Sequence, residues 1–149
     1  MYLIERSQLV PARLEETFRF FEDPHNLAKI TPDWLRLEIV KTDPPPVHAG
    51  YEIEYRIRWL GLSRRWHTLI TEYEPGCRFV DVQTREPYRF WRHEHSFESV
   101  SEQTLMRDRV EYELPFGVLG QIAHRLVVAR QLRQLFDHRA AKVSKLFAK

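Results

Sequence analysis

The sequence predicts an α+β protein, in which an antiparallel sheet of about seven strands grips one long C-terminal helix. Three observations carry this expectation. First, Val118 to Phe147 contains no Pro, and no Gly after Gly120, and Leu119, Ile122, Ala123, Leu126, Ala129, Leu132, Leu135, Phe136, Val143 and Leu146 recur at steps of three and four. That is the period of one helix face. Second, Tyr51, Ile53, Tyr55, Ile57 and Trp59 alternate with Glu52, Glu54, Arg56 and Arg58, the period of a strand with one buried face. Third, long strands fill the middle of the chain and a helix follows them, the segregation of an α+β fold. A helix of roughly 30 residues is about 45 Å long and needs a broad apolar surface beneath it. The strands supply that surface.

Taken in order, Tyr2 to Val10 alternates loosely as a first strand and ends at Pro11. Ala12 to Glu22 reads as a short helix with Leu14, Phe18 and Phe21 on one side, and Asp23-Pro24 stops it. Asn26 to Ile30 gives a second short helix before Thr31-Pro32, and Leu35 to Val40 a short strand. The run Asp43-Pro44-Pro45-Pro46 is loop, since Pro cannot serve a central ladder. A meander begins at Gly50: a strand to Trp59, a hairpin at Leu60-Gly61-Leu62-Ser63, a strand over Arg65–Tyr73, a turn at Glu74-Pro75-Gly76, and a strand over Cys77–Gln83. A turn near Arg85-Glu86-Pro87 precedes two last strands, Tyr88–Ser99 and Leu105–Leu114, and Pro115-Phe116-Gly117 breaks the sheet before the long helix. Neither side of the proline loop is large enough to stand alone, so residues 1–149 are expected to form one domain.

Composition narrows the function classes. A hydrophobic content of 43%, with 13% aromatic residues, argues against disorder. No apolar run is long enough to span a bilayer, and Met1-Tyr2-Leu3-Ile4-Glu5-Arg6 lacks the pattern of a secretory signal. The single Cys77 rules out an internal disulfide and a cysteine metal cluster, so a cytoplasmic location is expected. The net charge of +2 is unevenly spread: from Val118 onward seven Lys or Arg face one acid, Asp137. Such a helix either presents a solvated basic face or makes weak contact with an anionic surface. DNA is not an expected partner, because the outer sheet face mixes Glu with Arg, and there is no Gly-rich phosphate loop.

The last two strands hold the side chains best suited to chemistry. Strand alternation places Trp91, His93, His95 and Phe97 on one face of the first, and Met106, Asp108, Val110 and Tyr112 on one face of the second. The opposite faces, rich in Arg and Glu, are the wet ones. This puts a small polar island on an apolar inner face. A buried carboxylate is costly unless paired, and a neighbouring histidine is the natural partner for Asp108. Such a pair either moves protons near neutral pH or holds structure and orients a ligand. His93 and His95, with His67 from another strand, are also the residues that could meet at a metal, but two histidines alone specify no site, and no metal or cofactor is expected. His25, His48, His124 and His138 form no constellation.

Two stretches and an ending carry a resemblance. They are Phe90-Trp91-Arg92-His93-Glu94-His95-Ser96-Phe97, then Thr104-Leu105-Met106-Arg107-Asp108-Arg109-Val110-Glu111-Tyr112-Glu113-Leu114-Pro115-Phe116-Gly117, and Leu135-Phe136-Asp137-His138-Arg139. With the early helix Leu14–Phe21 followed by Pro24 and Leu27, the chain resembles the START-like, Bet v 1-like superfamily, and within it the bacterial polyketide cyclase/dehydrase and ligand-binding branch called SRPBCC. The resemblance implies a helix-grip fold, a curved sheet around the C-terminal helix with a cavity between them. Its members bind lipids, hormones, polyketides or other apolar molecules; some are cyclases or dehydratases and others carriers.

The expected function is therefore binding of an apolar or amphipathic small molecule, lipid-like or polyketide-like. Tyr55, Trp59, Trp91, Met106 and Tyr112 are expected in the cavity wall, with Leu126 and Arg130 from the helix. His93, His95 and Asp108 are expected to orient a polar group. The alternative is a cyclase- or dehydratase-type enzyme in which His93 or His95 moves protons and Asp108 orients the imidazole. A third reading is an interaction protein that uses its basic C-terminal helix.

Overall fold

The structure, a computed structural model, describes residues 1–59, 61–85 and 87–148, with the backbone alone at Trp59. Strand β1 (Tyr2–Val10) leads into helices α1 (Leu14–Glu22) and α2 (Pro24–Lys29) and a 3₁₀ turn at Asp33–Leu35. Strands β2 (Glu38–Thr42), β3 (Glu52–Trp59), β4 (Leu62–Glu74), β5 (Arg78–Gln83), β6 (Phe90–Val100) and β7 (Gln103–Glu113) follow. The last elements are α3 (Gly117–Ala123), a π turn at His124–Val128, and α4 (Ala129–Leu146). The seven strands form one curved antiparallel sheet in the order β1-β7-β6-β5-β4-β3-β2, with the helices against its inner face. No helix of the described residues is long and apolar enough to cross a membrane.

The expected architecture is present, and the element boundaries differ for local reasons. Helix α2 begins at Pro24 rather than Asn26. Pro suits the first helical position, and the Asp23 side chain accepts a hydrogen bond from the His25 amide at 2.9 Å as the N-cap. Arg36 adopts a left-handed conformation at φ 49°, so the chain turns over Asp33–Leu35 before β2 starts at Glu38 instead of Leu35. Of the expected hairpin, Leu62 and Ser63 belong to β4, and Leu60 lies outside the described residues. Glu86, in the expected turn before β6, also lies outside them.

The main departure is in the long helix. At the π turn the Ala129 amide donates to the His124 carbonyl, five residues back rather than four. The extra residue in that turn rotates everything before it relative to everything after it. The buried side chains are consequently Val128, Leu132, Leu135, Phe136 and Val143, while Leu119, Ile122 and Leu126 point outward. The helix is tied to β1 by Gln8, whose side-chain amide donates to the Ala140 carbonyl at 2.8 Å, and by the Arg6–Asp137 ion pair.

The interior comprises two apolar clusters. One gathers Phe18, Ile30, Tyr55, Phe79, Phe97, Met106 and Val143. The other gathers Tyr88, Trp91, Val110, Tyr112, Val128, Leu132 and Phe136. Among the elements that cross from one cluster to the other, β6, β7 and α4 place polar side chains at the crossing. On β6 these are His93 and His95, between Trp91 and Phe97. On β7 Asp108 lies between Met106 and Val110, and on α4 Arg139 lies between Phe136 and Val143.

Candidate functional site

Alternation and register together assemble this polar layer. Pairing of β6 with β7 sets His95 opposite Asp108, His93 opposite Val110 and Trp91 opposite Tyr112. Pairing of β5 with β6 sets Asp81 opposite His93 and Phe79 opposite His95. All these side chains share the inner face, and Arg139 meets them from the helix.

The bonds run diagonally. His93 Nε2 donates to Asp108 Oδ1 at 2.7 Å, and His95 Nε2 donates to Asp81 Oδ2 at 2.7 Å. The other nitrogen of His95, Nδ1, lies 3.4 Å from the same Asp108 oxygen. His95 thus has a carboxylate at each nitrogen, an arrangement only the doubly protonated ring satisfies. Burial opposes that charge, but the bonds to Asp108 and Asp81 outweigh it and push the His95 pKa up to about 9. Burial and the neighbouring His95 charge push His93 the other way, below its ordinary value. Burial disfavours ionised Asp108 and Asp81, yet the histidine hydrogen bonds hold both below the usual carboxylate range. At neutral pH two carboxylates are therefore matched by the His95 imidazolium and the Arg139 guanidinium, with His93 neutral.

Arg139 is incompletely partnered. Its Nε is buried and makes no hydrogen bond, although the guanidinium lies 5.5 Å from the centre of the Phe136 ring. Burial pulls its pKa down while Asp108 and Asp81 hold it up. An unsatisfied buried N–H is costly, so among the described residues this group is a donor without an acceptor.

Two hollows meet at the polar layer. The larger, about 140 Å³, has aromatic walls from Tyr55, Trp66, Tyr88 and Trp91, with Leu132 and Leu135 from the helix, and a polar end formed by Asp81, His93, His95 and Arg139. The smaller, about 90 Å³, lies beside Met106, Asp108 and Phe136. His95 and Arg139 border both.

Against the sequence expectations, His93, His95 and Asp108 come together, and Tyr55, Trp91 and Met106 border the hollows. The Trp59 side chain lies outside the described residues. Three expected wall residues, Leu126, Arg130 and Tyr112, lie elsewhere. Leu126 is 71% exposed and Arg130 is exposed, because the π turn swings them to the outer face; Gln131, Leu132, Leu135 and Arg139 line the larger hollow instead. Tyr112 is buried, but it lies one inward position beyond Val110, away from the polar layer, where its hydroxyl pairs with His124 Nε2 at 2.6 Å. His67 is on the outer sheet face beside Glu54 at 3.3 Å, not with the other histidines.

Two site residues escape the sequence reading. Asp81 follows Phe79 at the strand period, so an inward Phe79 carries Asp81 inward with it. Arg139 follows Leu135 and Phe136 at helical spacing, which places it on the buried face, although charge alone groups it with the surface cations. With Asp81 in place of His67, ligand atoms of Asp81, His93 and His95 lie within 4.8 Å of one another. Two imidazoles and a carboxylate suit a divalent transition metal. Such an ion would compete with the protons that now join each histidine to its carboxylate.

Residues 10–140 match the family described as polyketide cyclase / dehydrase and lipid transport. No curated protein matches the chain. Solved structures share the fold at low identity. TTHA0849 from Thermus thermophilus has a TM-score of 0.76 at 16% identity, over 97% of this chain and 95% of that one. A START superfamily protein from Mycobacterium smegmatis has a TM-score of 0.69 at 14% identity, over 98% and 99%. The di-domain ARO/CYC StfQ from the steffimycin biosynthetic pathway has a TM-score of 0.72 at 15% identity; 98% of this chain aligns with 50% of that one.

Proposed function

Given that the chain belongs to the polyketide cyclase/dehydrase and lipid transport family, we propose that it binds an apolar or amphipathic small molecule in the larger hollow, with the ligand's polar end at Arg139 and His95. One observation carries the reading: a cavity with aromatic and aliphatic walls ends in a charge-balanced cluster in which, among the described residues, Arg139 Nε is a buried donor without a partner. Ligand sites commonly combine an apolar lining with a few convergent polar groups. The charges of the polar layer already cancel, so a neutral acceptor, such as a ketone, quinone or amide oxygen, satisfies the Nε–H without adding a net charge to that layer. A carboxylate would require a further proton, and His93 is the group that could take it.

The test is native mass spectrometry of freshly purified protein, followed by solvent extraction and identification of any released molecule. A reproducible bound mass carrying an oxygen acceptor, absent from a Leu132→Trp variant that fills the hollow, is the expected result. A bound mass retained by a folded Leu132→Trp protein would place the ligand elsewhere and overturn the assignment.

A second reading has a specific observation behind it. His93 donates Nε2–H to Asp108, so the neutral ring keeps Nδ1 as its basic nitrogen. A base held this way suits proton abstraction next to a carbonyl, as in a cyclisation or dehydration. Loss of turnover with retained binding in His93→Gln would support the enzyme; equal loss of both would return the residue to a binding role.

A further inference from the structure

We propose that the start of the long helix, residues 116–127, is a docking surface for an anionic lipid membrane. Phe116, Val118, Leu119, Ile122, Leu126 and Val127 are each between 41% and 79% exposed. A surface helix ordinarily buries one apolar face and shows a polar one. This segment is apolar on both. Its inner side packs through Gly120 and Val128, while Val118, Leu119, Ile122 and Leu126 are left in solvent.

The exposure is built in. Phe116 is left-handed at φ 71°, and Gly120 sits so close to the preceding corner that a Cβ there would lie 2.1 Å from the Pro115 carbonyl oxygen. That contact fixes the corner which holds Phe116 outward.

Charge selects the occupant. Between Leu114 and Phe136 the chain has three arginines, Arg125, Arg130 and Arg133, and no acid. All three are exposed, and Arg130 follows Leu126 by one turn on the same outer face. Apolar side chains with cations at their edge fit an anionic bilayer surface. A second copy fits less well, because a twofold contact would bring the same arginines together. The surface adjoins the larger hollow: Val127 is followed one turn later by Gln131, which lines it. The membrane contact itself does not depend on what the hollow binds.

The test is co-sedimentation of the full chain with phosphatidylcholine vesicles, with and without about 30% phosphatidylglycerol. Binding is expected only to the anionic vesicles, and it should fall roughly tenfold or more when salt is raised to about 0.5 M. Leu119→Ser/Ile122→Ser and Arg130→Gln/Arg133→Gln, all at exposed positions, should each weaken binding at least about fivefold with near-ultraviolet circular dichroism unchanged. Failure of the parent protein to bind anionic vesicles at low salt, or undiminished binding by both variants, overturns the proposal. Sedimentation velocity serves as the alternative arm: a dimer abolished by Leu119→Ser/Ile122→Ser would assign the face to a second copy and overturn it as well.

Discussion

His93 and His95 stack with their ring centroids 3.7 Å apart and their planes inclined by 24°, yet they bond to different carboxylates. Two imidazolium ions at that distance in a buried site would repel strongly. Only one ring carries the charge, and the geometry selects His95, which has Asp81 on one side and Asp108 on the other. Side-chain ¹⁵N NMR should therefore show His95 doubly protonated until its pKa of about 9, and His93 neutral, with its proton on Nε2, at and above the ordinary histidine value. Asp81→Asn should lower the His95 pKa and leave the His93–Asp108 bond in place. A charged His93 beside a neutral His95 at pH 7 would reverse the assignment.

The same cluster sets a pH window for stability. The folded-state pKa of His95 is raised from 6.5 to about 9, so its contribution is complete below about pH 6.5 and is lost as pH rises through 9. Asp81 and Asp108 are depressed, and their contributions hold above the ordinary carboxylate value and fade below it. His93 is also depressed, so it favours the fold above its ordinary pKa and opposes it as pH falls. On the alkaline side His95 is the group of this cluster that acts, with a loss on the order of 3 kcal/mol by pH 9.5. Thermal melts between pH 6.5 and 9.5 should show Tm falling steadily, with a shallower slope in Asp81→Asn. A Tm independent of pH over that range would mean that His95 is not charged in the fold.

The sequence makes the faces legible but not the contacts across them. Strict alternation puts Trp91, His93 and His95 on one side of β6, and Met106, Asp108 and Val110 on one side of β7. Period alone decides that. Register is not legible, because nothing in the two strands fixes which histidine meets Asp108, and the observed answer is both. Asp81 is hidden by the shortness of its strand, where one acid in six residues reads equally well as an outer position. Leu126 and Arg130 are misplaced for a different reason. A uniform 3.6-residue period does not carry through His124–Val128, where the helix follows a wider turn. A π turn changes hydrogen bonding without leaving a Pro or Gly to mark it.

Arg139→Met offers a test of the charge balance. Removing the guanidinium deletes a buried donor that bonds to nothing through Nε, so the cost of a broken internal pair does not arise there. It also leaves the two carboxylates facing a single imidazolium. The cluster should restore neutrality by taking up a proton, and His93 is the available site. The His93 pKa should rise above 6.5, from a starting value below it. The same variant should lose the ligand's polar contact, weakening binding roughly five- to thirtyfold. An unchanged His93 titration in Arg139→Met would show that Arg139 does not balance this cluster.

Gly120→Ala tests the corner on which the helix starts. In an open helical position Ala is better than Gly by about 1 kcal/mol, and the substitution would be expected to stabilise. At Gly120 the new methyl would lie 2.1 Å from the Pro115 carbonyl oxygen and 3.3 Å from the Leu114 side chain. The nearest obstacle is backbone, and it cannot swing away as a long side chain would. The corner must open, and with it the contact that holds α3 against the end of β7. Overpacking of this kind costs about 1–3 kcal/mol, which exceeds the gain in helix propensity. Gly120→Ala should therefore lower Tm, with hydrogen exchange accelerated over α3 and the π turn before α4. The polar layer is held by β5, β6, β7 and α4, so the His93 and His95 titrations should be unaffected. A higher Tm in Gly120→Ala would show that the chain at Pro115 yields, and that the close approach does not fix the position of the helix.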